Sequence, residues 1–341
     1  MIVVYNAQQS RHAPSSFVFR GNVIESKELP ARADMLLAGV RECGFDVVEP
    51  RDYGLAPARA VHSRRYLDFL QHGHAAWRAL PGASREMVPN VHPATPRSGY
   101  PASIVGRAGF HLSDMASPVN EGTWPAALGG SHAACHGADL VLGGERAAYV
   151  LTRPPGHHAG RERAGGFCYI NNCAVAAQRL RGGAQRVAIL DIDVHHGNGT
   201  QEIFYRRGDV LHVSLHADPA HFYPFFTGYA NETGTGKGRG SNVNLPLPLG
   251  TADDAYLDAL AHACARVKAF QPDALVLALG LDTYVGDPLR GFDITANGFR
   301  AIGLTLGALR MPTVIVQEGG YLAPELGENL KLFLEAFAEA A

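Results

Sequence analysis

Short apolar runs alternate with longer segments of helical periodicity over most of the chain. The runs at 2–5, 147–152, 187–192, 210–215, 274–280 and 313–317 are rich in Val, Ile and Leu and lack clean polar alternation. Strands buried on both faces of a parallel sheet read this way, whereas half-solvated strands alternate. Between them, apolar residues recur at helical spacing near 31–43, 123–142, 170–181, 253–270, 295–310 and 324–339. Thr123, ahead of Trp124-Pro125, is expected to cap its helix, because proline suits the first turn. The pattern predicts one doubly wound α/β domain over 1–341, a single parallel sheet with helices on both faces.

Two stretches break the rhythm. Residues 81–120 are rich in Pro, Gly and Ser and are expected to form a long loop excursion rather than core. Residues 217–250 carry Phe222-Tyr223-Pro224-Phe225-Phe226, then Gly234, Gly236, Gly238 and Gly240. Loops of such length inside a compact domain are usually functional or disordered. The glycine run reads as a flexible turn, since it does not join a strand to a helix and lacks the Lys-Ser/Thr ending of a phosphate loop.

Composition removes several function classes. With 46% hydrophobic residues among 341, a large core is available, and a formal net charge of -2 offers no basic footprint for nucleic acid or an acidic membrane. No apolar stretch is long enough to span a bilayer, and residues 1–6 do not resemble a signal peptide. A soluble, cytoplasmic protein is expected. Cys43, Cys135, Cys168, Cys173 and Cys264 fit neither a zinc ribbon nor a redox pair, and read as packed thiols.

In open α/β sheets, ligands bind beyond the carboxyl ends of the strands. Those ends carry Pro155-Gly156-His157-His158, Asp191-Ile192-Asp193-Val194-His195, Asp282 and Glu318-Gly319-Gly320-Tyr321. Asp193 and His195 are two apart, so both point the same way from extended backbone. With Asp282 they supply one nitrogen and two oxygens, and three protein ligands with an open position suit a catalytic zinc. His157 and His158 diverge too much to share a metal and suit acid–base work, with Asp191 and Asn198 as partners. A carboxylate raises the basicity of one ring and a neutral amide leaves the other lower, which separates their roles. Tyr321, after two glycines, can present its phenol to a developing oxyanion.

These residues resemble the histone deacetylase superfamily, through RPPGHH at 153–158, GGFCYINN at 165–172, DIDVHHGNGT at 191–200, GLDTYVGDPL at 280–289 and EGGY at 318–321. In detail the chain looks most like the bacterial acetylpolyamine amidohydrolases, through EGGY, Asn198, GTW at 122–124 and the 81–120 excursion. The resemblance implies the arginase–deacetylase fold and one zinc ion per chain on Asp193, His195 and Asp282. It implies His158 as general base and then acid with Asn198 behind it, His157 backed by Asp191 as electrostatic assistant, and Tyr321 as the electrophilic phenol. Phe167 and Tyr223 would wall a substrate tunnel beside Gly166, with Leu289 at its mouth. A potassium or sodium ion would lie on Asp191, Asp193, His195, Ser214 and Leu215, and a second near the carbonyls of Phe204, Arg207 and Val210. An acidic residue of the 109–121 loop would meet a distal ammonium; Asp114 is the better candidate and Glu121 the poorer. The excursion would pack against a second subunit in a homodimer.

The expected activity is zinc-dependent hydrolysis of the acetyl amide of small N-acetylated amines (acetylpolyamines and acetylated diamines), giving acetate and free amine. Deacetylation of protein lysines by the same machinery is the alternative. An arginase-like site with two metals would need carboxylates where Gly197 and Tyr284 stand. A non-catalytic binding protein would be expected to have lost Tyr321, a histidine or a zinc ligand, and none is missing.

Overall fold

The computed structural model describes residues 1–95 and 98–341; Pro96 and Arg97, within the expected excursion, lie outside them. In chain order the strands are β1 (Ile2–Tyr5), β2 (Ser16–Phe19), β3 (Asn22–Glu25), β4 (Asp46–Val48), β5 (Ala147–Leu151), β6 (Val187–Asp191), β7 (Val210–Ala217), β8 (Asn242–Leu247), β9 (Ala274–Leu279) and β10 (Thr313–Gln317). Eight of them form one sheet in the order β4-β1-β5-β10-β9-β6-β7-β8, with every pairing parallel. Every residue of β5, β6, β7, β9 and β10 is buried, which accounts for their largely apolar runs; the polar exceptions include Asp191, His212, Ser214, His216 and Gln317.

Successive side chains leave a strand on opposite faces, and the core divides accordingly. Ala148 and Val150 of β5 join Val276 of β9 and Val314 of β10 on one face, under the helix Thr123–Leu142. Tyr149, Leu275, Leu277 and Ile315 join the other, under Asp253–Phe270, Ala296–Gly307 and Leu326–Ala340. This is the doubly wound arrangement read from the pattern.

Three expectations need correction. Thr123 is not a cap: its helix begins at Thr123 itself, preceded by Gly122. Its hydroxyl is taken by the Asn120 amide at 2.9 Å and the His12 ring at 3.0 Å. The 81–120 stretch is not merely a loop: it holds the helix Ile104–His111, and Met87, Ala108, Leu112 and Val119 are fully buried in the core. A backbone bridge between Met87 and Val119 closes its base. Within 217–250, β8 forms the sheet edge despite Pro246, because an edge strand tolerates a missing amide donor. The hairpin β2–β3 turns on Arg20 and Gly21, both at positive φ.

Residues between β1 and β4 are fastened to the carboxyl edge of the sheet by a buried ionic group. Glu28 accepts from Arg32 at 2.8 Å and pairs with Arg153 at 2.9 Å, all three almost without exposure. Arg153 reaches back to the Gln9 and His12 carbonyls, and Arg32 bonds the Gly320 and Glu318 carbonyls. One carboxylate thus answers two guanidinium groups, and removing it strands both. Glu28→Gln should lower the unfolding free energy by about 3 kcal/mol, in the range for a broken buried pair. Urea titration followed by circular dichroism measures this, and a loss below about 1 kcal/mol would contradict the central place given to Glu28.

Candidate active site

The strands β5, β10, β9, β6 and β7 are neighbours, so the segments leaving their carboxyl ends meet in one place. After β6, the chain extends through Asp193 to His195, and after β9 it reaches Asp282. One donor atom from each of these three side chains lies within 4.8 Å of the others, and Asp193 and Asp282 are fully buried. The His195 Nδ1 is 3.1 Å from both Asp193 Oδ1 and Asp282 Oδ2. Backbone amides fix the carboxylates: Gly319 donates to Asp193 Oδ2 at 2.7 Å, and Val194 to Asp282 Oδ1 at 3.1 Å. A side chain at Gly319 would collide with both carboxylates, which explains glycine there.

The electrostatics of this trio call for a cation. Burial and the neighbouring Asp193 push the Asp282 carboxyl above its ordinary range. Burial opposes charge on His195, yet Asp193 and Asp282 pull the imidazole up to about 9. Two carboxylates held together away from water are costly, and a divalent cation between them removes the cost. One imidazole and two carboxylates form a donor set that zinc accepts, so the residues fit the metal expected from the sequence. Among the described residues a second group, His157, Cys168 and Glu318, also offers donors within 4.8 Å. Its carboxylate is engaged by the Gly156 and His157 amides at 2.6 and 3.0 Å and by the Cys173 thiol at 3.2 Å. It braces the turn that carries the histidines.

That turn leaves β5 and presents His157 and His158 with ring centroids 4.1 Å apart. His157 donates from Nδ1 to Asp191 at 3.0 Å, and His158 donates from Nδ1 to the Asn198 carbonyl oxygen at 2.7 Å. Both rings therefore carry Nδ1–H, which leaves Nε2 of the neutral His158 as an acceptor. Burial works against charge on His157, but Asp193 and Asp191 outweigh it and hold the ring well above its ordinary pKa. Burial, then the neighbouring His157 and His195, pushes His158 well below. The pairing proposed from sequence is present, but the lowering of His158 comes from burial and the adjacent imidazoles rather than from Asn198.

Tyr321 follows β10 across Gly320, whose φ of 106° lets the chain turn back over Leu281. Burial raises the phenol well above its ordinary pKa, so it remains a proton donor at neutral pH. Its backbone amide donates to Asp287 at 2.7 Å, and the Arg32 guanidinium lies 4.7 Å from its ring centroid. Phe167 meets Tyr321 edge-on at 5.6 Å, with Phe17 and the partly buried Leu289 completing the cluster. Across from it, Tyr223 meets His158 edge-on at 5.0 Å, and Phe222 stacks on His195 at 5.1 Å. On the far side of β6, Ser214 of β7 lies in register with Asp191, followed by Leu215, and its hydroxyl donates to His216 at 2.8 Å.

Asp114 lies beside this cluster, but its oxygens face inward. They accept from the Tyr223 hydroxyl at 2.6 Å and from the Gly166 and Ala116 amides at 2.9 Å each. Glu121 instead lies on a separate surface cavity of about 610 Å³ with Arg11, Arg78 and Arg85. Sequence reasoning gave no role to Glu318, Asp287, Arg32 or Phe17. Glu318 and Asp287 stood inside motifs that were recognised, so their signal was present. Arg32 and Phe17 had none, since each arrives from a separate early segment.

The histone deacetylase domain model matches residues 26–337 of the chain. An acetylpolyamine amidohydrolase of Burkholderia pseudomallei is 45% identical over 338 residues, covering 99% of this chain and 98% of its own. One from Mycoplana ramosa is 42% identical over 343 residues, covering 99% and 100%. The crystal structure of an acetylpolyamine aminohydrolase from Burkholderia pseudomallei superposes with a TM-score of 0.97 at 45% identity, covering 100% of this chain and 99% of that one. Sheet order, the Asp193–His195–Asp282 trio and the paired histidines thus coincide with a match along nearly the whole sequence, and the chain belongs to the histone deacetylase domain family.

Proposed function

We propose that this chain is a zinc-dependent amidohydrolase that removes acetyl groups from small acetylated amines, acetylpolyamines and acetylated diamines. The observation that carries the reading is the buried convergence of Asp193, His195 and Asp282 beside two histidines of opposed basicity. The names of the relatives in Burkholderia pseudomallei and Mycoplana ramosa support the substrate class.

Asp193, His195 and Asp282 would hold the zinc ion, which when bound supplies Lewis acidity and brings the pKa of a coordinated water down to about 7. His158 takes a proton from the attacking water at Nε2 and returns it to the departing amine nitrogen. Its Nδ1–H stays on Asn198 throughout, so the ring keeps one tautomer and one orientation. His157 remains charged against Asp191 and Asp193 and favours negative charge building nearby. Tyr321 donates to the acetyl oxygen as that oxygen gains charge. Phe167 and Tyr223 guide the alkyl chain past Gly166, and Leu289 lines the entrance.

The same reading includes a potassium or sodium ion on Asp191, Asp193, His195, Ser214 and Leu215, supported by the β6–β7 register, and a second near Phe204, Arg207 and Val210. It also includes a cytoplasmic homodimer built through the 81–120 segment. Exposed Val91 and Tyr100 on that segment support a covering partner. No helix among the described residues is long and apolar enough to cross a membrane.

Three outcomes test the proposal. Asp282→Asn should lose bound metal and turnover while keeping the melting profile of the fold, because two remaining ligands compete poorly with buffer. Elemental analysis finding one zinc per chain with near-normal turnover would remove this ligand assignment. His158→Ala should lower kcat by at least about 100-fold and His157→Ala by less. A base works only when unprotonated, so activity rises with pH through the His158 pKa, and that acid limb should vanish in the His158 variant alone. Finally, acetylputrescine, acetylcadaverine and acetylspermidine should each exceed an acetyllysine peptide in kcat/KM with the purified enzyme, and light scattering should report a dimer. A monomer that prefers the peptide would instead be a protein deacetylase.

A further inference from the structure

Asp114 sits where an acidic residue would be expected to receive the ammonium of an amine substrate, but its geometry serves another purpose. A carboxylate has about four acceptor positions, and three are filled here by donors from three different segments. The Ala116 amide closes a local turn onto Oδ1 at 2.9 Å, which fixes the carboxylate plane relative to its own backbone. Oδ2 then takes the Tyr223 hydroxyl at 2.6 Å and the Gly166 amide at 2.9 Å. Oxygen–oxygen separations this short mark a charge-assisted bond, about twice as strong as a neutral one.

The two donors on Oδ2 belong to opposite sides of the reaction centre. Tyr223 lies edge-on to the base His158 at 5.0 Å and to the ligand His195 at 6.1 Å. Gly166 precedes Phe167, the facing aromatic residue, and both have positive φ, 52° and 68°. A Cβ at Gly166 would meet the His158 ring and the Tyr223 ring, so this backbone fills the space between them. The neighbouring Ser117 hydroxyl accepts the Phe167 amide at 3.0 Å. Ser113 ties the same segment to the Ala164 carbonyl through both its amide and its hydroxyl, each at 2.8 Å. Residues 113–117 therefore brace both aromatic walls at once.

We propose that Asp114 is a positioning residue, a latch that joins the Tyr223 hydroxyl to the Gly166 amide and so sets the width of the tunnel. This rests on the reading of the site as a deacetylase for slim acetylated amines. The latch holds each wall by its polar end and leaves the aromatic faces free to line the alkyl chain. The charge on Asp114 is spent inside the protein, and recognition of a distal ammonium falls to other groups or to solvent.

The test compares Tyr223→Phe, Asp114→Asn and the double variant on acetylputrescine and on N-pentylacetamide, its neutral counterpart of nearly equal shape. Each single change should lower kcat/KM by about tenfold or more, in the range for a lost hydrogen bond to a charged group, mainly through KM. The losses should match within about twofold for both substrates, and the double variant should be no worse than the poorer single one. A loss in Asp114→Asn confined to acetylputrescine would make Asp114 the ammonium receptor and overturn the latch. So would losses that multiply in the double variant, or a Tyr223→Phe enzyme equal to wild type. A fall in kcat at constant KM would point to a general loss of folded enzyme and would also overturn it. Should Asp114→Asn fail to fold, Tyr223→Phe, which removes a single oxygen, decides alone. Wild-type turnover of acetylputrescine tests the substrate reading separately, because the latch is judged only on ratios to wild type.

Discussion

Asp191, Asp193, Asp282, Asp287 and Glu318 are all buried at the carboxyl edge of one sheet, four of them without measurable exposure. Burying that much negative charge would be prohibitive if each group stood alone. The fold answers with backbone amides: Asp193 on Asp191, His195 on Asp193, Val194 on Asp282, Gly319 on Asp193, Tyr321 on Asp287, and Gly156 with His157 on Glu318. Each bond runs from one strand exit to a carboxylate, often on another exit. The loops after β5, β6, β9 and β10 are thereby fixed relative to one another, and the paired histidines and Tyr321 inherit their positions from that lattice.

A second balance overlies the first. Glu28 meets Arg32 and Arg153, and Arg32 continues to the Gly320 and Glu318 carbonyls beneath Tyr321. Positive charge introduced from the N-terminal segment thus reaches the loop that follows β10. Among the described residues, His195 is the imidazole within hydrogen-bonding distance of both Asp193 and Asp282, so one ring stands against two carboxylates there. That residual charge is the chemical reason the trio suits a divalent cation, while the Glu318 group, bonded by two amides and a thiol, does not need one.

How much of this was legible in the sequence depends on whether the deciding contacts are local. The central strands were readable because burial on both faces leaves a largely apolar run without regular polar alternation, and β6 and β10 appeared with their ends within a residue. The pairing of His157 with Asp191 and His158 with Asn198 was readable from the two motifs that carry these residues, at 153–158 and 191–200, although β5 and β6 are not neighbours in the sheet. The hairpin β2–β3 and the edge strand β8 were not, since Asn242 and Asn244 face inward to bond Gln201 and look polar in sequence. Thr123 misled for the same reason: its hydroxyl is claimed by His12, more than 100 positions away. The 81–120 stretch looked like loop because Pro and Gly dominate its count, although Met87 and Val119 bury it at the base.

The chemistry and the tunnel differ in origin, and this bears on how such a site can change. The groups proposed to react stand on strand exits joined by the amide lattice, so altering one disturbs several carboxylates at once. The proposed walls come from other segments: Phe17 from the hairpin β2–β3, Phe167 from a turn at positive φ, and Tyr223, edge-on to His158 and His195, from the segment ahead of β8. Two of them are tethered through polar groups, Phe167 through its amide on Ser117 and Tyr223 through its hydroxyl on Asp114. Neither tether is a bond to Asp193, His195 or Asp282, and the carboxylates there are held by the amide lattice instead. A sheet edge fixed by buried charge can therefore keep one hydrolytic reaction while its loops select which acetylated amine reaches it.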